Sequence, residues 1–198
     1  MRVFFVSFLV IIIDQVSKFA VKGFSIPLLN FHHTGLNYAE STSLIHNVLY
    51  FTFVENPGIA FGLDFGPDYR TLVTLLTFVA CAGLLLYYYK IRKEDVALKL
   101  SIAILIGGAF GNLFDRVFYG VIYNYAPLFE GKVVDFLDIR ILNLFFLRNT
   151  TGIYVFNLAD MAILFGVISF AVIVSRRKKK ISETKVVIDS EKLEQESL

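Results

Sequence analysis

Two acids and several amides stand where an apolar chain has least reason to carry them. Asp160 lies in Phe156-Asn157-Leu158-Ala159-Asp160, seven residues into an apolar run that begins near Ile153. An ionisable group at membrane depth is costly, so it is read first as a functional group. Asn157, three residues earlier on the same helical face, is spaced to hydrogen-bond it or to hold a ligand backbone. Asp135, in Val133-Val134-Asp135-Phe136, is the candidate second acid, since a strand returning along the membrane surface would carry it over Asp160. Two carboxylates in a partly desolvated site do not both ionise easily; they share a proton, and one pKa rises. One can then deprotonate a water while the other protonates a carbonyl oxygen or a leaving amine. That pair is the minimum equipment for peptide hydrolysis without a metal.

Other polar groups gather at the same ends of the apolar runs. Gly111-Asn112-Leu113-Phe114-Asp115-Arg116 closes one run with an amide, an acid and a guanidinium, and Asp14 and Lys18 form an i,i+4 pair in another. Asn56 opens Asn56-Pro57-Gly58, where proline sets φ at the second turn position and Gly58 permits positive φ at the third. Each has an ordinary alternative: Asp115 and Arg116 as an interfacial ion pair, Asn56 as a turn former. Their convergence on one side is what raises them as a site. Competing chemistries find little support. His32, His33 and His46 lack ligand spacing, so no metal or other cofactor is assigned. Cys81, the only cysteine, sits among Ala80, Ala82 and Gly83 as inert packing, and neither a G-x-S-x-G elbow nor a Walker-type glycine loop occurs.

The elements that must position these groups are membrane spans. Of 198 residues, 56% are apolar and 18% charged, with mean hydropathy +0.65, against about 25% charged in soluble domains. A formal charge of +2 leaves no global basic excess for nucleic acid. The apolar runs predict an α-helical integral membrane protein with spans at about 3–21, 72–89, 96–114 and 153–175. The first run lacks a signal-peptidase site of the A-x-A type and is retained as a span. Four spans leave more than half the chain outside the bilayer, which rules out a many-helix transporter. Gly107, Gly108 and Gly111 allow close helix approach, within the chain or at a dimer face; oligomeric state stays open.

Ten basic residues fall in the amino end, 90–99 and 176–180, against six in the much longer connections 22–70 and 115–152. The positive-inside tendency puts both termini in the cytoplasm and both connections outside. Those connections are rich in Val, Phe and Tyr. Val48–Val54 and Ile59–Leu63 flank the Asn56 turn as a predicted hairpin, and Lys132–Ile139 reads as a further strand. Residues 1–180 are thus expected as one membrane-embedded domain with a small outer β-cradle, and 181–198, with five acids and two lysines, as a disordered cytoplasmic tail.

Five segments together resemble the lipoprotein signal peptidase family, also called type II signal peptidase, an aspartic peptidase family. They are Asp14-Gln-Val-Ser-Lys18, Glu55-Asn-Pro-Gly-Ile-Ala-Phe-Gly62, Gly107-Gly-Ala-Phe-Gly-Asn-Leu-Phe-Asp-Arg116, Val133-Val-Asp-Phe136 and Phe156-Asn-Leu-Ala-Asp160, in the family's order. The resemblance implies a bacterial inner-membrane endopeptidase that cuts diacylglyceryl-modified prolipoproteins just before the lipidated cysteine, with its site near the outer face. Carried over motif by motif, it implies Asp135 and Asp160 as the catalytic dyad and Asn56, Asn112, Arg116 and Asn157 as substrate-binding residues. Asp14, Lys18, Gly58 and Asp115 would support the site. The link between Arg116 and Val133 and the stretch His32 to Asn47 are longer than the family's compact form, and are expected to elaborate the cradle or act as lids. The rival reading is a proton-coupled carrier using the intramembrane acids.

Overall fold

The computed structural model of the chain describes residues 2–46, 48–58, 65–140 and 155–196. Among the described residues, four helices are long and apolar enough to cross a membrane: Val3–Lys22, Pro67–Lys90, Val96–Ile122 and Leu158–Thr184. They belong to α1 (Arg2–Lys22), α2 (Pro67–Lys90), α3 (Val96–Phe114) continued into α4 (Gly120–Ile122), and α5 (Leu158–Glu196). The second begins earlier than its apolar run because Pro67 occupies the first turn, with Asp68 beside it at the positive end of the helix dipole. The third continues through a π-helical turn at Asp115–Tyr119, which rotates Asp115 and Arg116 relative to the preceding α-helix.

The fourth departs most from expectation. Val155–Phe156, expected inside the span, forms a short strand, and the helix starts at Leu158. Asp160 is therefore in the first helical turn and not two turns down. At its other end α5 continues to Glu196, where the sequence predicts a disordered tail. A helix already nucleated in the span extends through Glu- and Lys-rich sequence with no new nucleation penalty.

α3 is the central helix: 61% of its apolar window is buried, against 22%, 17% and 11% for the other three. Its glycines are used inside the chain. A Cβ on Gly107 would meet Val10 Cβ of α1 at 2.7 Å, one on Gly111 would meet Asp14 Oδ2 at 2.6 Å, and one on Gly108 would strike the Ala159 carbonyl of α5. These contacts bring α1 and α5 onto α3 closely enough for short polar side chains to meet across the bundle. Toward the α2–α3 connection the core is apolar, built from Tyr88, Ile91, Leu98, Ile102, Leu105 and Ile106.

The extramembrane part is antiparallel β. β1 (Phe24–Ile26) and β2 (Phe31–His33) form a hairpin, and β3 (Ser41–Ile45), β4 (Leu49–Asn56), β5 (Val133–Ile139) and β6 (Val155–Phe156) form a four-stranded sheet in that order. β4 is paired by β3 and β5; Ile59–Leu63, expected as its hairpin partner, lies outside the described residues. β5 matches the predicted strand. Its alternate side chains Val134 and Phe136 enter a core with Val21, Phe53 and Tyr119, which leaves Asp135 on the opposite face. The long link after Arg116 folds back as a cover: Gly131 N–H donates to the Arg116 carbonyl (2.9 Å), and Thr74 of α2 donates to the Phe129 carbonyl (2.8 Å).

Candidate active site

The first turn of α5 leaves N–H groups that need acceptors. Asn157 precedes the helix and accepts the Asp160 N–H on Oδ1 at 2.9 Å, while its own backbone N–H donates to Asp160 Oδ2 at 3.2 Å. This reciprocal capping arrangement fixes the Asp160 carboxylate against the helix N-terminus. Asp14 of α1 accepts the neighbouring Ala159 N–H at 2.9 Å. The sequence places Asn157 and Asp160 on one face of a helix; the structure makes their spacing the signature of a helix start.

Asp135 reaches the same place from β5. Asn157 Nδ2 donates to Asp135 Oδ1 at 2.7 Å, so one asparagine touches both carboxylates. Asn56, at the end of β4, donates to Asp135 Oδ2 at 3.1 Å. Its own Oδ1 accepts the Gly58 N–H at 2.9 Å, and Gly58 takes φ +128° as the turn requires. Asn112 of α3 donates to Asp160 Oδ1 at 2.7 Å and accepts from Asn157 Nδ2 and Lys18 Nζ, each at 3.0 Å. Two helices and two strands therefore converge on one pair of acids.

Beneath them lies a closed ionic layer. Lys18 is fully buried and places all three ammonium protons: on Asp14 Oδ2 (2.8 Å), Asp115 Oδ2 (2.8 Å) and Asn112 Oδ1. Asp115 also accepts from the Val134 N–H of β5 (3.2 Å) and from Gln15 Nε2 (2.8 Å). Tyr119, fully buried, donates to Gln15 Oε1 at 3.0 Å. Gln15 and Tyr119 were not singled out in the sequence. Gln15 had a usable signal, an amide beside Asp14 and three residues before Lys18 in an apolar helix; Tyr119 had none, because the π-turn aims it inward. The ion pair of Asp115 is with Lys18, where the sequence also allowed its neighbour Arg116.

Arg116 stands apart. Nη1 donates to the Asn112 carbonyl at 3.3 Å, while Nε is buried and has no hydrogen-bond partner among the described residues. Its charge lies within electrostatic reach of Asp135 and Asp160. Asp135 is 2% exposed, and burial together with the negative charge of Asp160 pushes its pKa up to about 7, against the opposing pull of hydrogen bonds from Asn56 and Asn157 and the charge of Lys18. Asp160 remains partly accessible. The site thus presents one deeply buried acid able to hold a proton near neutrality and one partly accessible acid on a helix N-terminus, with a guanidinium N–H nearby that no described residue engages. That is acid–base equipment suited to adding water across an amide.

Residues 6–176 match the family model described as signal peptidase (SPase) II. The lipoprotein signal peptidase of Moorella thermoacetica is 38% identical over 160 residues, which cover 81% of this chain and 83% of the relative. That of Halothermothrix orenii is 35% identical, covering 83% and 88%. Among solved structures, a bacterial membrane enzyme determined by the in meso method at 1.9 Å resolution superposes with TM-score 0.62 and 26% identity, over 87% of this chain and 92% of that one. A second, at 2.3 Å, shares the fold at TM-score 0.61.

Proposed function

The chain belongs to the signal peptidase II family, and from that membership we propose that it removes signal peptides from diacylglyceryl-modified bacterial prolipoproteins, using Asp135 and Asp160 as the catalytic pair. The observation that carries the assignment is Asn157 touching both carboxylates at the start of α5. In this reading Asp135 holds the shared proton at neutral pH, because it is the buried member. Asp160 takes a proton from water, and the resulting hydroxide bonds to the scissile carbonyl carbon while Asp135 gives its proton to the carbonyl oxygen. The tetrahedral intermediate then collapses: its C–N bond breaks as the nitrogen takes the proton that Asp160 had accepted from water, a hydroxyl of the gem-diol returns a proton to Asp135, and a carboxyl end and the amino group of the lipidated cysteine are released.

The supporting groups divide by what their atoms have left to offer. Asn112 and Asn157 are buried and engaged with their neighbours, so we assign them to holding the carboxylates, a narrower role than the substrate contact the resemblance implied. Arg116, with a buried N–H that no described residue engages, is the better candidate for the substrate carbonyl or the developing oxyanion. Asp14, Lys18 and Asp115 keep the layer beneath rigid, and Gly58 shapes the Asn56 turn. A signal peptide is an apolar helix already in the bilayer, so a site at the end of the spans meets the scissile bond where chain and acyl groups leave the hydrocarbon. The weight of basic residues at the other end supports an outward-facing site with both termini in the cytoplasm. A proton-coupled carrier needs a polar route to the opposite face; the apolar core around Ile102 and Leu105 stands in that path.

The test is cleavage of a diacylglyceryl-cysteine precursor by purified protein in lipid. Asp135→Asn and Asp160→Asn should each lose at least about 10²- to 10⁴-fold in turnover while still binding precursor, and chelator should leave the wild type active. Full activity in either variant would remove that residue from the pair.

A further inference from the structure

The hairpin that follows α1 carries an apolar surface that the peptidase chemistry does not use. β1 and β2 pair Phe24 with His33, Ser25 with His32 and Ile26 with Phe31. Strand alternation therefore puts Phe24, Ile26, Phe31 and His33 on one face, and Ser25 and His32 on the other. The connecting 3-10 turn, Pro27–Leu29, leaves Leu28 93% and Leu29 69% exposed, and residues 23–31 contain no charged side chain. A two-stranded hairpin is at best marginally stable in water, so its apolar face and tip call for a covering phase.

Position identifies that phase. The span Val3–Lys22 has 20 residues, or roughly 30 Å of helix, the thickness of the hydrocarbon core, so its last turn lies at the membrane boundary. The hairpin starts only two residues later and folds back against that turn. His33 Nε2 donates to the Ala20 carbonyl at 2.8 Å, Leu36 N–H donates to the Val21 carbonyl at 2.8 Å, and the Phe24 and Phe19 rings lie 6.2 Å apart. Between hairpin base and helix runs a cleft of about 730 Å³ whose apolar lining includes Val16, Phe19, Ala20, Phe24 and Ile122, with Lys22 among its polar residues. Val16 belongs to the outward-facing flank of α1 that also exposes Phe5, Phe8 and Ile12, the flank that must meet lipid. The hairpin's apolar face is therefore continuous with the lipid-facing surface of the span, and three-residue strands keep the tip within about 10 Å of it.

We propose that the β1–β2 hairpin is an interfacial anchor, its Leu28–Leu29 tip seated in the headgroup and upper acyl region of the leaflet at which α1 ends. Its partner is the lipid surface itself, and buried apolar area supplies the attraction. The seat steadies the cradle against the membrane and leaves the catalytic pair, held by other elements, unaltered.

The chain contains no tryptophan, so Leu28→Trp makes a single reporter at a site too exposed to disturb the fold. The variant is reconstituted in phosphatidylcholine–phosphatidylglycerol vesicles carrying spin labels near the top or near the end of the acyl chain. The expected result is short-wavelength emission quenched more by the upper label than by the lower one. Water-like emission quenched by iodide and by neither lipid would overturn the proposal. So would short-wavelength emission insensitive to both lipids and to iodide, since another copy of the chain would then cover the tip.

Discussion

Asp135 and Asp160 are the same functional group in different surroundings, and in the proposed mechanism that difference divides their work. Asp135, buried on a strand, has a pKa of about 7 against an ordinary 3.8, so the folded state binds its proton more tightly than the unfolded chain. Stability from this group is fully present below pH 3.8 and is lost as pH rises toward 7, where the buried carboxyl ionises. Asp135→Asn should therefore raise the melting temperature in detergent by an amount that grows with pH and levels off above about 7, while turnover falls by at least about 10²- to 10⁴-fold. Wild-type turnover should fall as pH climbs through the same value, because the acid loses its proton. Asn157→Ala leaves both carboxylates without a shared anchor; about 10²-fold should be lost in kcat with little change in KM. Arg116→Ala should act through substrate binding and raise KM, and Arg116→Lys should not restore it, since an ammonium cannot reproduce the guanidinium fork. Equal kinetic signatures for the two alanine variants would erase the distinction between holding an acid and holding substrate.

At the scale of elements, the start of α5 organises the site. Its exposed N–H groups are met by Asn157 from the preceding chain and by Asp14 from α1, and Lys18 ties that acid to Asp115 in the π-turn. Removing the ammonium leaves two fully buried carboxylates with no cation between them. Lys18→Met should destabilise the protein by about 3–5 kcal/mol, read as a lowered melting temperature in detergent. Adding Asp14→Asn and Asp115→Asn should recover part of that loss, because the uncompensated charges are gone. The polar residues of this layer are legible in the sequence because each interrupts an apolar run, and so is the i,i+4 pair of Asp14 with Lys18; the partner of Asp115 is not. The sequence offers the neighbouring Arg116 as the cation for Asp115, and the folded chain pairs it with Lys18 instead. The position of Asp160 was misjudged for a related reason: Ile153 to Phe156 is apolar enough to be helix, but Val155 and Phe156 complete the sheet beside Asp138 and Leu137.

For the whole molecule, the proposed topology has four spans that return both ends of the chain to the cytoplasmic side, an orientation argued from the basic flanks. A cytoplasm-dependent reporter joined to residue 198 should be active, and one joined after Ile122 inactive; the reverse pattern would invert the molecule and move the site to the inner face. Precursor without the diacylglyceryl group should be cut poorly, since acyl contacts far from the reacting bond help hold it in place. A comparison of modified and unmodified precursor by mass spectrometry of products reads this directly.

The sequence alone determined the solvent and the reagents. Scarce charge called for a membrane solvent, basic flanks supplied the argument for a direction, and five ordered motifs marked the acids and amides, because a polar residue in a hydrocarbon setting stands out in one dimension. Tertiary structure decided who holds whom. Asp135 and Asp160 are 25 positions apart on a strand and a helix, and their meeting at Asn157 depends on β4–β5 register, on the late start of α5, and on glycines that let α1 and α5 press against α3. Hydrophobicity could place the spans, since it depends on composition. The carboxylate pair depends on directed hydrogen bonds, whose geometry exists only once the elements have packed.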